Sequence, residues 1–290
     1  MAFQLSPVVA GMWRLAEWNF DTSALVRWIE HAIGLGINSF DHADVYGGYA
    51  VEAAFGQALA AAPGLRERLR IVTKCGIKLM SPARPAHASK SYDSSRAHVV
   101  ASVENSLSAL RTDRIDLLLI HRPDLLADPD ELAATFRSLR EQGKVLHFGV
   151  SNHSARQFAM LHKRCPLVTN QIELSPLQMA ALGDGTLAQA ADLGLRPMIW
   201  SPLAGGRLLS AQDEQAQRVR GVLEELGRDR GVSVATMAYA WICRHPSRPI
   251  PITGSSRIEA LRDAVAAGQV NVGAEDWYRV WQASMGREVD

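Results

Sequence analysis

The chain has 290 residues, 31 of them basic and 30 acidic, so its net charge is +1. This balance gives no overall field that would attract nucleic acid or an anionic membrane, and no apolar run is long enough to cross a bilayer. The three cysteines lack metal-binding or redox spacing and the N-terminus lacks a secretory leader pattern, so we expect a cytoplasmic protein with reduced thiols. The partner is expected to be a small molecule, and the oligomeric state is left open.

Short apolar runs alternate with amphipathic segments along the whole chain. Asp21 is expected to cap the first helix, which Gly34 and Gly36 end, and Pro129 is expected in the first turn of a later helix. The predicted strands are 8–12, 37–40, 71–73, 117–120, 145–150, 167–172, 197–200 and 249–253. The predicted helices after the first lie near 51–61, 94–110, 130–142, 155–164, 186–193, 214–226, 234–245 and 258–266.

The predicted strands are nearly continuous in apolar residues, which is typical of a parallel sheet that is covered on its outer face. Eight such strands alternating with helices predict an α/β fold, a closed (β/α)8 TIM barrel. We expect a single domain over residues 1–290, with a C-terminal helical segment. The competing fold is a doubly wound open sheet, which usually carries a GxGxxG turn after its first strand, where this chain has only Gly11.

Three apolar runs end in ionisable side chains, Asp41, Lys74 and His121, and Tyr46 lies five residues after the first of them. Because the loop-side ends of barrel strands converge at one mouth, we expect these four side chains to lie together. A Lys74 ammonium would lower the pKa of the Tyr46 phenol, and Asp41 would keep that ammonium charged. Tyr46 would then protonate an alkoxide, while the ring nitrogens of His121 orient and polarise a carbonyl oxygen.

Each of these residues also has a structural interpretation when it is taken alone. An Asp at a strand end often caps a loop, a single Lys–Asp pair is usually structural, and a His after an apolar run is often a core histidine. The placement of all four residues at strand ends favours a function for the set. His42 and Asp44, beside Asp41, are expected to be structural.

Several motifs follow one another in an order that resembles the aldo-keto reductases over nearly the whole chain. They are Asp41–Gly47, Lys74–Gly76, Leu119–Asp124, Gly149–Asn152, Asn170–Gln171 and Ile250–Ser256. The stretches Trp13–Leu15, His42–Asp44 and Gly205–Leu208 are most similar to the bacterial YdhF-like oxidoreductases. Several motifs in register are far more specific than any one of them.

The resemblance implies an enzyme that binds NADPH without a Rossmann domain and reduces an aldehyde or ketone to an alcohol. It assigns Tyr46 as the proton donor, tuned by Lys74 and Asp41. His121 would orient the substrate. The cofactor-binding residues that the resemblance implies are Gly11, Met12, Trp13, Ser151, Asn152, Gln171, Trp200, Ser201, Pro202, Leu203, Ala204, Gly205, Gly206, Arg207, Gly254, Ser255, Ser256, Arg257 and Arg262.

Within this set the resemblance divides the work among the parts of the cofactor. Ser151, Asn152 and Gln171 would hold the nicotinamide carboxamide, and Trp200 would stack on the ring. Trp200 stands where many members have a tyrosine. The family often has a Glu and an Asn for the adenine, where residues 263–264 of this chain are Asp and Ala, so the adenine contacts are left open.

The phosphates of the cofactor would be held by two loops. Residues 201–207 would run along the pyrophosphate, their glycines letting backbone amides approach it. Gly254, Ser256 and Arg257 would hold the adenosine 2′-phosphate. Arg262 is a second candidate for that phosphate.

Two other classes of function stay open beside a carbonyl reductase. One is a regulatory subunit that senses the nicotinamide cofactor and turns over slowly. The other is a Schiff-base lyase with Lys74 as nucleophile, which needs an unprotonated amine that Asp41 would oppose. Metal-dependent hydrolysis is weaker, because the chain has no HxH or HExxH spacing.

The substrate itself is not fixed by the sequence. The residues expected to line the mouth are Trp13, Trp18, Tyr49, part of 77–92 and the C-terminal segment near Trp277 and Trp281. This aromatic set suggests an apolar or aromatic carbonyl.

Overall fold

Eight parallel strands form a closed barrel in a computed structural model that describes residues 3–289. In chain order the strands are β1 (Val9–Gly11), β2 (Ser39–Asp41), β3 (Arg70–Cys75), β4 (Ile77–Lys78), β5 (Ser91–Tyr92), β6 (Ile115–Ile120), β7 (Val145–Ser151), β8 (Asn170–Glu173), β9 (Met198–Trp200) and β10 (Ile250–Thr253). The barrel order is β1, β10, β9, β8, β7, β6, β3, β2, and β4 with β5 makes a separate two-stranded sheet. The predicted (β/α)8 barrel is confirmed.

Twelve α-helices lie within residues 3–289, and none of them is both long and apolar enough to span a membrane. They are α1 (Thr22–Gly34), α2 (Val51–Ala61), α3 (Arg96–Leu110), α4 (Pro129–Glu141), α5 (Ala155–His162), α6 (Ala180–Gly183), α7 (Thr186–Asp192), α8 (Arg207–Ser210), α9 (Glu214–Arg230), α10 (Val234–Cys243), α11 (Ile258–Ala266) and α12 (Ala274–Met285).

Local capping chemistry explains several of the helix boundaries. Asp21 accepts the Ala24 amide at 2.7 Å and starts α1, as predicted, and Pro129 occupies the first turn of α4. Helix α9 continues past its predicted end at 226 and through the buried Gly227, and it ends at Gly231, which takes the left-handed conformation at the C-cap. Strand β8 begins at Asn170 rather than 167. The Leu167 amide donates to a histidine ring, while Val168 and Thr169 still bond to β7.

A β-hairpin replaces part of what the sequence indicated only as a loop. Strands β4 and β5 pair antiparallel, with Ile77 opposite Tyr92 and Lys78 opposite Ser91. The hairpin follows β3 almost directly, so it projects from the strand that carries Lys74. We call residues 77–92 the arm.

The chain forms two compact units. The first reaches to Asn170 and includes Gly254–Ser256, and the second holds Gln171–Thr253 and the chain from Arg257 onward. The expectation of one domain over the whole chain stays a prediction.

A cluster of three aromatic rings forms part of the core of the first unit. Phe40 of β2 lies between Trp28 of α1 and Phe55 of α2, with ring centroids 6.3 and 5.5 Å away. Helix α2 also packs closely on α3, because a Cβ at Gly56 would lie only 2.1 Å from the Ala109 carbonyl oxygen. These contacts fix the end of β2, where Asp41 stands, against two helices.

Two tryptophans join α10 to α12 in the second unit. The rings of Trp241 and Trp277 stack with centroids 5.1 Å apart. The indole nitrogen of Trp241 donates to the Trp277 carbonyl oxygen at 2.9 Å, and that of Trp277 donates to the Trp241 carbonyl oxygen at 3.1 Å. Because both indole donors are satisfied within this pair, we expect it to contribute strongly to holding α12 in place.

A buried ion pair ties β3 and β6 together near their starts. The Arg66 guanidinium donates to Asp116 Oδ2 and to the Arg114 carbonyl oxygen, both at 2.8 Å. The same carboxylate oxygen accepts the Ile71 amide at 2.9 Å. Burial lowers the pKa of Arg66, and the charge of Asp116 opposes that shift.

We expect Arg66→Met to lower the free energy of unfolding by about 3 kcal/mol, because the change leaves the buried Asp116 carboxylate without its partner. The matched control is Arg68→Met, which removes a guanidinium whose bonds to Glu30 lie at the surface. That variant is expected to lose less than about 1 kcal/mol. Urea unfolding of both variants measures the difference, and equal losses would contradict a special role for Arg66.

Candidate active site

The site is built around Lys74, whose side chain is fully buried near the end of β3. Its ammonium has three acceptors, namely Asp41 Oδ2 at 2.7 Å, the His42 carbonyl oxygen at 2.7 Å and the Tyr46 hydroxyl at 2.9 Å. Burial by itself lowers the pKa of Lys74, but the charge of Asp41 and the bonds to Asp41 and Tyr46 outweigh it, and the pKa lies above its ordinary value. Lys74 is therefore a charged donor at neutral pH.

The backbone places these groups by strand pairing. Strand β2 runs parallel to β3 with Asp41 opposite Val72. Beyond β2 the same ladder continues, since the His42 amide donates to the Val72 carbonyl oxygen and the Asp44 amide donates to that of Lys74. The acid and the amine therefore meet side by side, as the strand-end positions predict.

Tyr46 opens a short 3-10 turn, Tyr46–Gly48, that follows β2. The Lys74 ammonium lies 4.7 Å from the centre of its ring, in addition to the bond to its hydroxyl. Burial raises the pKa of Tyr46, and the opposing charge of Lys74 does not cancel that effect. The net shift is opposite to the lowered pKa that the sequence suggested, because burial of the phenol outweighs its charged neighbour.

His121 follows β6 and faces Tyr46, with ring centroids 5.9 Å apart and planes at 79°. Burial, with the charges of Lys74 and Arg122, holds the pKa of His121 well below its ordinary value. The ring is therefore neutral and carries one N–H rather than two. Its Nδ1 atom is buried and has no hydrogen-bond partner among the described residues.

A second layer of polar groups lies behind Lys74. Glu52 of α2 accepts the Thr73 hydroxyl at 2.6 Å and the Ser106 hydroxyl at 3.0 Å. Burial raises the pKa of Glu52, and burial together with the charge of Glu52 raises that of Asp44 well above its ordinary value. His42 is fully buried with its ring 4.4 Å from Phe55.

Ser151 and Asn152, two predicted cofactor residues, lie at the end of β7 and directly after it, beside His121. Ser151 is buried, and Asn152 takes the left-handed backbone conformation with φ +58°. The Asn152 amide group donates to the His121 carbonyl oxygen at 3.3 Å and to the Ser151 hydroxyl at 2.8 Å. The structure therefore brings these polar groups next to the candidate substrate-orienting residue.

The predicted residues after β1 differ in exposure. Met12 is fully buried and its amide donates to the Asp41 carbonyl oxygen at 2.9 Å, whereas Trp13 is 59% exposed. Gly254 comes close to Gly11, because a Cβ at Gly254 would lie 3.5 Å from the Gly11 carbonyl oxygen. Ser255 and Ser256 are partly exposed and follow directly.

In the second unit, β8 and β9 present the predicted Gln171 and Trp200. Gln171 is buried, and its amide nitrogen lies 3.9 Å from the Met198 sulfur. Trp200 ends β9 opposite Glu173 of β8.

The predicted pyrophosphate loop, residues 201–207, contains a run of left-handed conformations. Their φ angles are +51° at Ser201, +51° at Ala204, +67° at Gly205 and +103° at Gly206, and Pro202 and Leu203 lie between them. Within the loop the Ala204 amide donates to the Ser201 carbonyl oxygen at 2.8 Å, and the Gly206 amide donates to that of Leu203 at 3.0 Å. These bonds close the turn, and its role in binding a diphosphate group stays a prediction.

The three arginines that are predicted to bind the cofactor differ from one another in their surroundings. Arg207 pairs with Asp213 at 3.1 Å, and Arg262 lies 3.7 Å from Glu259 on the same helix. Arg257 is exposed at the N-cap position of α11, where anions are favoured.

Three residues of the predicted aromatic lining contact other tryptophans, and their place at the mouth stays a prediction. Trp18 packs on Trp28 of α1, with ring centroids 4.9 Å apart. Trp277 stacks on Trp241, and Trp281 packs edge-on against Trp277 at 5.2 Å. The sequence shows these side chains as large and apolar, but not that other tryptophans supply their contacts.

Sequence reasoning missed the contact between Tyr49 and the arm. The Tyr49 hydroxyl accepts the Leu79 amide at 2.9 Å, and the guanidinium of Arg84 lies 4.7 Å from its ring centre. A tyrosine directly after two glycines, at the end of a tight turn, is the only sequence feature that pointed to it.

Known proteins share the sequence of this chain over nearly its whole length. The family model described as the Aldo/keto reductase family matches residues 7–284. The chain is 47% identical to the uncharacterized oxidoreductase YcsN of Bacillus subtilis and to the oxidoreductase YdhF of Escherichia coli, over 99% of this chain and 96% of each relative. It is 39% identical to a protein of Agrobacterium fabrum named 6-dehydroglucose reductase, again over 99% and 96%.

A solved structure shares the architecture. The glycerol dehydrogenase of Gluconobacter oxydans superposes with a TM-score of 0.86 at 25% identity, and the match covers 100% of this chain and 95% of that one.

We expect the buried His42 to make the protein sensitive to acid. Burial, followed by the charge of Lys74, lowers the pKa of His42 to about 3. A histidine that stays neutral in the folded protein binds protons only after unfolding, so stability falls as the pH drops below about 6.5 and continues to fall toward about 3. Between pH 7 and pH 5 the wild type should lose about 2 kcal/mol more than His42→Gln.

Urea unfolding of both proteins at the two pH values tests this expectation. The packing change in the variant alters the absolute stability equally at both pH values, so only the difference between them is compared. Equal losses in the two proteins would mean that His42 does not remain neutral in the folded state.

Proposed function

Because this chain belongs to the aldo/keto reductase family and is an oxidoreductase, we propose that it reduces an aldehyde or ketone with NADPH, using Tyr46 as the proton donor. The observation that carries the proposal is the fully buried Lys74 ammonium, which donates both to Asp41 and to the Tyr46 hydroxyl. A neutral His121 faces the same phenol. Tyr46 provides the proton, Lys74 provides a positive charge that stabilises the phenolate left behind, and His121 provides a hydrogen-bond donor to the carbonyl oxygen.

Tyr46 keeps its proton in the resting enzyme, since burial raises the pKa of the phenol. When a carbonyl oxygen becomes an alkoxide, it becomes the stronger base and takes that proton. The phenolate that remains lies 2.9 Å from the Lys74 ammonium, which stabilises it. Asp41 keeps that ammonium charged and in place, and so acts through Lys74 rather than on the substrate.

His121 orients the substrate in this proposal. As a neutral ring it donates one hydrogen bond to the carbonyl oxygen and directs that oxygen toward Tyr46. The hydrogen bond from Asn152 to the His121 carbonyl oxygen fixes the backbone of the residue. A positively charged ring would cost more to bury, which accounts for the lowered pKa of His121.

NADPH, when bound, supplies the hydride. In the first unit we assign the carboxamide of the nicotinamide to Ser151 and Asn152, whose side chains already lie together. In the second unit we assign the pyrophosphate to the turn within 201–207 on the family resemblance, and a further phosphate to the N-terminus of α11 with Arg257. The assignments of Gln171 and Trp200 rest on the family resemblance.

A Schiff-base lyase is the less supported alternative. Nucleophilic attack by Lys74 needs a neutral amine, whereas the pKa of Lys74 lies above its ordinary value and all three of its ammonium protons have acceptors. A cofactor-sensing subunit would consume NADPH only slowly in the steady state, whereas a carbonyl reductase would consume it rapidly.

A panel of small, sugar-derived and aromatic carbonyls, assayed with NADPH and NADH, tests the proposal directly.

The panel covers two substrate classes for stated reasons. A relative at 39% identity is named for a dehydroglucose, which supports sugar-derived carbonyls. Exposed apolar side chains such as Trp13 and Met80 support aromatic carbonyls.

We expect Tyr46→Phe to lower kcat by about two orders of magnitude or more while leaving the affinity for NADPH unchanged, because only the proton donated in the transition state is lost. Fluorescence titration with NADPH beside steady-state rates measures both quantities. Tyr278→Phe, an exposed change on α12, is the control. A Tyr46→Phe enzyme that kept most of its rate would remove Tyr46 from the mechanism.

We expect Arg257→Ala to lower kcat/KM for NADPH by about tenfold to a hundredfold, because paired charge-assisted hydrogen bonds to the 2′-phosphate are lost. NADH lacks that phosphate, so its kcat/KM should change little. Arg262→Ala is the matched comparison on the same helix. Two outcomes would reject Arg257 as the residue that binds the 2′-phosphate. One is an equal loss of kcat/KM for both cofactors in Arg257→Ala, and the other is a larger loss of kcat/KM for NADPH in Arg262→Ala.

A further inference from the structure

Tyr49 stands in a backbone conformation that a tyrosine rarely adopts. Gly47, Gly48 and Tyr49 are consecutive left-handed residues, with φ angles of +57°, +66° and +76°. Glycine takes this conformation freely, but a side chain with a Cβ is disfavoured in it. A residue held in such a conformation at a functional turn suggests that its side chain makes a compensating contribution.

The phenol of Tyr49 makes that contribution by binding the arm, residues 77–92. Its hydroxyl accepts the Leu79 amide at 2.9 Å and lies 3.4 Å from His87 Nδ1. His87 Nδ1 is in turn 3.1 Å from the Leu79 carbonyl oxygen, and the guanidinium of Arg84 covers the Tyr49 ring. Three separate parts of the arm therefore converge on one side chain.

A second bond joins the arm to the same turn. The Ser81 hydroxyl donates to the Gly48 carbonyl oxygen at 3.3 Å. The Tyr49 amide donates to the Tyr46 carbonyl oxygen at 3.1 Å, which closes the turn that carries the proton donor. The arm is thus bonded within three residues of Tyr46.

The arm is also connected to Lys74. It begins three residues after Lys74, directly beyond β3 and Gly76, and Lys74 donates to the Tyr46 hydroxyl. One end of the arm is therefore close to Lys74 along the chain, and its residues 79–87 are held by Tyr49, in the turn that begins at Tyr46. Met80, which follows the bonded Leu79, is 60% exposed, so the arm presents a flexible apolar side chain there.

We propose that Tyr49 is a positioning residue that fixes the arm as a wall for the part of a substrate that extends beyond its carbonyl group. This inference rests on the proposed carbonyl reduction. Small aldehydes, which end at the carbonyl, do not need the wall. Bulky aromatic aldehydes contact it and bind more weakly when the arm is released.

Tyr49→Phe tests the proposal, because it keeps the ring and removes only the hydroxyl that accepts the Leu79 amide. Amide hydrogen exchange of the segment containing Leu79 should become faster, and the KM for 2-naphthaldehyde should rise about fivefold, as expected for one lost hydrogen bond. The KM for propanal, the affinity for NADPH and the kcat for both aldehydes should stay unchanged. Tyr278→Phe is the control and should change none of these quantities.

Ser81→Ala removes the second bond between the arm and the turn and should shift exchange and the 2-naphthaldehyde KM in the same direction. Unchanged exchange in Tyr49→Phe would overturn the bond between phenol and arm. Faster exchange with an unchanged ratio of the two KM values would overturn the positioning role. A wild-type protein that reduces sugar-derived carbonyls but not 2-naphthaldehyde would overturn the role of the arm for aromatic substrates. One that reduces no carbonyl of the panel would instead reject the proposed function, and the exchange experiment would still decide whether Tyr49 holds the arm.

Discussion

The candidate site depends on the buried ammonium group of Lys74, which determines which polar groups must lie around it. Transferring a lysine side chain from water to a protein interior is costly unless every N–H finds an acceptor and an opposite charge lies nearby. Lys74 meets both conditions, through Asp41, a backbone carbonyl oxygen and Tyr46. The parallel pairing of β2 and β3 and the tight turn after β2 are the two backbone features that bring these acceptors to it.

The other ionisable groups around Lys74 either have pKa values shifted toward their neutral forms or accept hydrogen bonds from nearby hydroxyl groups. Burial and the nearby ammonium lower the pKa of both His42 and His121, so neither ring competes with it as a cation. Burial raises the pKa of Asp44, while Glu52 is held by two hydroxyl groups. The positive charge of Lys74 is therefore directed toward Asp41 and the phenol.

The sequence predicts the barrel well because parallel strands and their covering helices leave a periodic apolar pattern, with caps such as Asp21 marking the ends. It also predicts that Asp41, Tyr46, Lys74 and His121 meet, since strand ends share one side of a barrel. The net pKa shift of Tyr46 was not predictable, because it depends on how deeply the phenol is buried. Spacing alone carries no measure of that depth.

Contacts between distant segments account for the other differences. The arm pairs residues that lie on both sides of a loop with two prolines, and its hold on Tyr49 depends on three-dimensional placement. The aromatic side chains near the C-terminus looked available for a substrate, yet one of them is satisfied by Trp241. A hydrophobic pattern identifies a side chain that needs a partner without identifying the partner.

The stacked pair of Trp241 and Trp277 has a consequence for biosynthesis. The two residues are 36 positions apart, so α10 leaves the ribosome before the helix that covers its tryptophan exists. Because synthesis adds about 5 to 20 residues per second, the indole of Trp241 lacks its hydrogen-bond partner for seconds after it is made. During that interval the ring and the indole N–H of Trp241 lack the partners that α12 supplies, and a chain that terminated just before α12 would lack them permanently.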